Sequence, residues 1–218
     1  MVKPHSQTGP ATTPRDDGTE QRILDAAHTV FLARGTDGAR MQEIADAAGV
    51  NKALLHYYYR TKDGLAQAVF ERAAAMLMSD VLPIMASDLE LEEKIEQFVA
   101  AELALLGGRP YLPGYVISEL THHPERLVAI FSRLAGNRVQ KVVLPKLREQ
   151  IRRRVDAGTL APMSAEQFLV TCLACCVFPF AARPLLTVVL DLGARGFDRF
   201  IEQRKKELPE FLKRALQP

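Results

Sequence analysis

Cysteine is scarce in this chain and badly placed for cross-linking. Cys172, Cys175 and Cys176 fall within five residues of one another, and an odd number of close helical neighbours does not build the disulfide framework of a secreted protein. A reducing compartment suits them better. No apolar signal core opens the sequence. The longest apolar run, 168–182, is too short and too interrupted to span a bilayer. Sustained strand alternation with hairpin turns is missing, and so is any repeat of fixed period. Charge of one sign is missing as well: the net charge of +2 is too close to neutral for bulk electrostatics to point at nucleic acid. A soluble, cytoplasmic, all-helical chain with no membrane partner is expected, and 48% apolar residues supply a substantial core.

Groupings that carry catalysis are also missing. There is no Ser-His-Asp-like set, no glycine-rich phosphate loop and no clustered metal ligands. Glu119 and His122 stand three apart on a helix and can pair, but no nucleophile accompanies them. The cysteine group can place three thiols on one helix side, and soft metals favour thiolates. A zinc site wants four ligands, however, and buried free cysteine is a common small hydrophobe. The sequence implies no metal, no cofactor and no enzyme.

What is present is helix. Residues 1–18 are rich in Pro, Thr, Gly and Asp and read as a mobile tail. Thr19 then serves as N-cap, Ile23, Ala27, Val30 and Phe31 recur on one face, and Gly35 stops the helix. A second helix runs over about 41–48, with Met41, Ile44, Ala45 and Ala48 on one side. A third follows Gly49 over about 51–58. Thr61 caps a fourth, which Pro83 breaks or kinks near its end. Later helices are predicted at 89–106, 112–121, 124–157 (interrupted near Gly136 and Pro145), 164–182 and 196–216, about nine in all. The expected domains are 19–66 and 67–218.

The segment 41–65, MQEIADAAGVNKALLHYYYRTKDGL, is the most informative. Residues 1–49 hold five bases against seven acids, whereas 50–62 hold Lys52, Arg60 and Lys62 and no acid. On a helical wheel at about 100° per residue, Tyr59 falls near Leu55 and joins it and Val50 in the core, while Ala53, Leu54, His56 and Tyr57 point outward. A small, apolar and aromatic outward face is poor for a solvated helix and suits base edges and thymine methyls. Lys52 and Lys62 at its borders can hold phosphates, and the amides opening the fourth helix can face one too. A plain helical corner is the other reading of the same residues.

Residues 19–69 resemble the DNA-binding domain of the TetR family of transcriptional regulators. The likeness lies in the capped first helix ending at Gly35, in IADAAGV, in NKALLHYYY and in TKDGL. It implies a helix-turn-helix domain joined through the fourth helix to a larger ligand-binding and dimerisation domain. By position it assigns DNA contacts to Arg40, Gln42, Lys52, Ala53, Leu54, His56, Tyr57, Tyr58 and Lys62. Two residues depart from the family pattern. Arg40 replaces a Ser or Thr cap, and Leu54 replaces a hydroxyl residue, implying an apolar contact in place of a hydrogen bond.

The rest of the chain matches the family only in size and helicity. The resemblance implies a homodimer through the last two long helices, 164–182 and 196–216, double-stranded operator DNA as partner, and a small apolar or amphipathic effector that releases a repressor from a palindrome. The helix 164–182 is apolar nearly all round, so it needs cover on more than one side. Effector-cavity candidates are Met76, Phe98, Tyr111, Tyr115, Phe131 and Phe178, with Glu119, His122 and Cys172 for polarity. Each also fits an ordinary core or loop. An architectural DNA-binding protein without an effector, and an enzyme in the C-terminal half, are the alternatives.

Overall fold

The computed structural model describes residues 17–218. The tail expected at 1–18 therefore lies outside the described residues except for Asp17 and Gly18, and both already belong to the first helix. Among the described residues there are eleven α-helices and no strand, against about nine helices expected. The chain divides into two compact units, one ending at Ala68 and the other Val69–Pro218.

The first unit holds α1 (Asp17–Gly38), α2 (Met41–Ala48), α3 (Lys52–Tyr58) and the first turns of α4 (Lys62–Ala86). Gly35 interrupts α1 with φ 70° and ψ 171°, as a stop there requires. Ile23, Ala27 and Phe31 from α1, Ile44 and Ala45 from α2, Leu55 from α3 and Leu65 from α4 are buried and form its core. The corner between α2 and α3 is a Schellman turn. Gly49 adopts φ 65° and ψ 34°, its N–H donates to the Asp46 carbonyl, and the Val50 N–H donates to the Ala45 carbonyl. Both orphan carbonyls of the helix end are thereby satisfied.

The second unit adds α5 (Leu91–Gly108), α6 (Leu112–His122), α7 (Pro124–Ala135), a π-turn (Val139–Val143), α8 (Leu144–Asp156), α9 (Ala165–Ala181), α10 (Arg183–Val189) and α11 (Gly193–Ala215). α5 packs against α9 and α11, α8 packs on α9, and α6 packs on α7 and α9. Its larger core runs through Leu91, Ile95, Val99 and Leu103 of α5, Phe168, Cys172 and Cys176 of α9, and Ile201, Leu208 and Leu212 of α11. A smaller cluster gathers Phe70, Ala73 and Ala74 of α4 with Leu112, Leu127 and Ile130.

Three boundaries differ from expectation. Pro83 does not end α4, which continues to Ala86. Pro83 has no N–H to offer the Ser79 carbonyl, so it removes one bond from α4 without ending it. The 124–157 stretch breaks at Gly136 as expected, with φ 56° and ψ −131°, but not at Pro145, which lies in the first turn of α8. The short α10 fills a stretch left without a helix, and α11 starts at Gly193 rather than 196. No single helix among the described residues is long and apolar enough to cross a membrane.

Candidate nucleic-acid interface

Helix α3 is built from its cap outward. Asn51 accepts the Leu54 N–H on its side-chain oxygen at 2.7 Å, which starts α3 cleanly. Leu55 turns fully inward, whereas Lys52, Ala53, Leu54 and Tyr57 are exposed. This leaves small, apolar and aromatic groups on the outer face, bordered by a lysine. His56 is half-buried, and its Nδ1 lies 3.2 Å from the Arg60 carbonyl oxygen. A carbonyl only accepts, so this bond places the proton on Nδ1.

Tyr58 corrects the expected set. It is buried at 8% exposure, with its ring edge-on to Tyr57 at 5.6 Å. At roughly 60° from Leu55 on the helical wheel, it sits on the inner side. Tyr59 follows the end of α3 in extended conformation, φ −134° and ψ 101°. It is half-buried, and its hydroxyl donates to Glu20 Oε1 of α1 at 2.7 Å. It therefore pins α3 to α1 instead of filling the middle of the core.

Flanking groups are held in place. Arg40 precedes α2 in extended conformation. Arginine has no acceptor and cannot cap as Ser or Thr does, so half of a capping box replaces that cap: the Arg40 N–H donates to Glu43 Oε2 at 3.2 Å. The Arg40 side chain is left exposed. Gln42 donates to Asp46 Oδ1 at 2.8 Å, which fixes its amide on the exposed side of α2. Thr61 accepts the Gly64 N–H at 3.0 Å and caps α4. Lys62, half-buried, donates to the Asp37 carbonyl at 2.8 Å. One of its three ammonium hydrogens is thus used inside the unit, and two stay available to an anion.

Residues 23–69 match the family model described as bacterial regulatory proteins, tetR family. Through this segment the chain resembles the TetR family. It is 35% identical over 92 residues to the HTH-type transcriptional regulator SrpR of Pseudomonas putida, covering 42% of this chain and 41% of that one. It is 36% identical over 88 residues to the HTH-type transcriptional activator FasR of Mycolicibacterium smegmatis, covering 40% of each. The chain thus spans about two-fifths of the length of these relatives. The fold extends further: the fatty acid degradation regulator FadR of Bacillus halodurans superposes with a TM-score of 0.62 over 91% of this chain and 96% of that one, at 18% identity. The fold of that regulator therefore covers both units, while sequence likeness concentrates in the first.

In the second unit the expected effector residues do not form one group. Tyr115 and Phe131 flank Phe70 with ring centroids 5.3 and 6.2 Å away, and Tyr111 packs on the same small cluster. Burial raises the Tyr111 phenol to about 12, against the opposing pull of Arg109 and Arg72. Arg109 also reaches the exposed Met76, 3.9 Å from its sulfur, and Arg126 lies 3.7 Å from Glu119. Phe98 and Cys172 belong instead to the larger core. His122 is exposed with Nδ1 on the Ser118 carbonyl at 2.9 Å, and Phe178 is exposed on α9. These four are corrected away from the Tyr111–Tyr115–Phe131 group: helical spacing marks an apolar side but not which neighbour covers it. Burial also raises the Cys172 thiol to about 12 and the Cys176 thiol still further, which opposes the thiolate that metal or redox chemistry needs.

One polar residue escaped the sequence reading. Glu102 lies on the inner face of α5 at 2% exposure. Its Oε2 has no hydrogen-bond partner, and burial raises its carboxyl to about 7. The signal was present: Glu102 falls four residues after Phe98 and seven after Ile95, on the apolar stripe.

Proposed function

We propose that this chain is a sequence-specific DNA-binding transcriptional regulator that reads a palindromic operator as a homodimer and is released as a repressor by a small apolar or amphipathic ligand. The outer face of α3 carries the reading. Ala53, Leu54 and Tyr57 stand exposed on a capped helix that follows a Schellman corner, between Lys52 on the same helix and Lys62 at the start of α4. Apolar groups of this size suit base edges and thymine methyls, and the two ammonium groups suit phosphates. Arg40 and Gln42 at the start of α2 supply further backbone or base contacts, and the half-buried His56 supplies one from its Nε2 side. On this reading the protein acts in the cytoplasm, where its DNA is, and has no catalytic role.

The homodimer is supported by α9 and α11. Val170, Leu173 and Phe178 of α9 and Phe211 of α11 are large, apolar and exposed. Such a surface on two long helices of the C-terminal half suits a second copy. Each subunit reads few base pairs, so specificity needs two half-sites. α4 carries the chain from one unit into the other, and an effector acts by favouring the dimer state whose heads are wrongly spaced. The relative FasR is an activator, so the direction of control in this chain is itself a point to measure.

Selection from randomised duplex DNA with purified protein tests the reading. An enriched inverted repeat with half-sites separated by a whole number of helical turns is the expected result. A library that emerges without an enriched motif contradicts it.

A further inference from the structure

We propose that the core of the second unit recognises a slim apolar ligand bearing a protonated amine, with the Glu102 carboxylate as its counter-ion. The inference rests on the reading that this unit senses a small molecule, and it names the chemical class. Its basis is an unanswered carboxyl. Glu102 is 2% exposed, and its Oε2 lacks any hydrogen-bond partner. Native proteins rarely leave a buried polar atom in that state without a use for it.

The surroundings do not supply the partner. α5 packs against α9 and α11. The titratable groups that α9 brings are the buried thiols of Cys172 and Cys176, with Cys175 beside them. From α11 comes Arg204, but its guanidinium donates twice to the Cys175 carbonyl, at 2.8 and 3.1 Å. Desolvation is the only influence resolved on the Glu102 carboxyl, and it raises it to about 7. A neutral donor would leave a net charge buried among apolar side chains. An ammonium cancels that charge and supplies the missing hydrogen bond together.

A cavity that Glu102 does not itself line lies further along the same helices. Its volume is about 80 Å³, and it is lined by Ile95 of α5, Phe168, Thr171 and Cys172 of α9, and Leu212 and Leu216 beside them. Glu102 lies seven residues beyond Ile95, roughly 10 Å along α5, and Cys176 lies four beyond Cys172, roughly 6 Å along α9. Phe98 and Val99 occupy the α5 turn between. A straight alkyl body seated in the cavity brings a terminal amine to the carboxyl once these side chains yield. The cavity volume, roughly three times a water's share of the liquid, calls for a narrow chain.

Calorimetric titration with n-hexylammonium, 1-hexanol and hexanoate tests the assignment. For the wild type at pH 7.5 the amine should bind at least about tenfold tighter than the alcohol, and hexanoate weakest. Below about pH 7 the amine must displace the Glu102 proton, so its affinity should fall about tenfold per pH unit while that of hexanol stays level. Glu102→Gln keeps the shape and removes the charge. It should abolish the amine preference and the pH dependence and leave hexanol binding intact, whereas Glu207→Gln, on the surface, should change neither. Equal binding of amine and alcohol to the wild type, a preference that survives Glu102→Gln, or no binding of the amine up to 10 mM (roughly −3 kcal/mol of affinity) overturns the proposal. Selection from randomised DNA with the same two proteins separates the failures. If both enrich the repeat while the amine preference is absent, only the Glu102 inference falls. If neither enriches DNA, the regulator reading falls on its own evidence.

Discussion

Glu102 has a stability consequence independent of any ligand. Its carboxyl is raised from 4.5 to about 7 by burial. Between those values the native protein holds a proton that the unfolded chain has released, so stability falls as pH rises through this window and levels off above it. The shift corresponds to about 3 kcal/mol at the plateau. Glu102→Gln should flatten this part of the melting temperature–pH curve and raise the melting temperature at pH 8. A wild-type curve already flat from pH 4.5 to 7 would contradict the burial account. At the interface, Lys62→Ala should weaken DNA binding across all sequences and reduce the slope of log K against log salt by about one. It should also cost about 1 kcal/mol of stability through the lost bond to the Asp37 carbonyl. Tyr57→Ala should instead change base preference with little change in salt slope. Selectivity that shifts for Lys62 and holds for Tyr57 would reverse the two roles. Residue-level reading of the sequence succeeded where spacing alone decides, as with the inward Leu55 and the outward Ala53, Leu54 and Tyr57. Tyr58 is the exception: its position in the resemblance implies a DNA contact, whereas its wheel angle points inward.

Among the elements, the α2–α3 corner sets the direction of α3, the helix proposed to read DNA, and Gly49 is its pivot. A Cβ at Gly49 meets no atom within 4 Å, so the cost of a side chain there is purely that of φ 65°. Gly49→Ala should destabilise the first unit by about 1 kcal/mol, and Gly49→Asn by less, since Asn tolerates the left-handed region. Equal melting temperatures for all three would show the turn conformation to be other than described. Caps and turn residues made this unit legible: Asn51, Gly49, Thr61 and Gly35 each announce a boundary through local chemistry. The second unit was less so. α10 follows α9 directly at Ala182, with neither a glycine stop nor a polar cap, so its apolar Leu185, Val188 and Val189 gave no period to read. The effector residues scattered because an aromatic on a helix shows only that one side is covered.

For the whole molecule, the exposed apolar side chains of α9 and α11 carry the proposed dimer. Phe178 is 60% exposed, so Phe178→Asp should leave the fold of one subunit intact while shifting sedimentation toward monomer and weakening operator binding in parallel. A variant that stays fully dimeric would move the interface elsewhere. The central claim is that two copies of α3 read two halves of one palindrome, in grooves about 34–36 Å or a multiple apart. A mobility-shift titration on the selected operator, intact and with one half-site scrambled at constant salt, tests it most directly. Loss of at least about a hundredfold in affinity on scrambling, roughly 2.7 kcal/mol, is the result expected. Equal affinity for the intact and scrambled sites would contradict it.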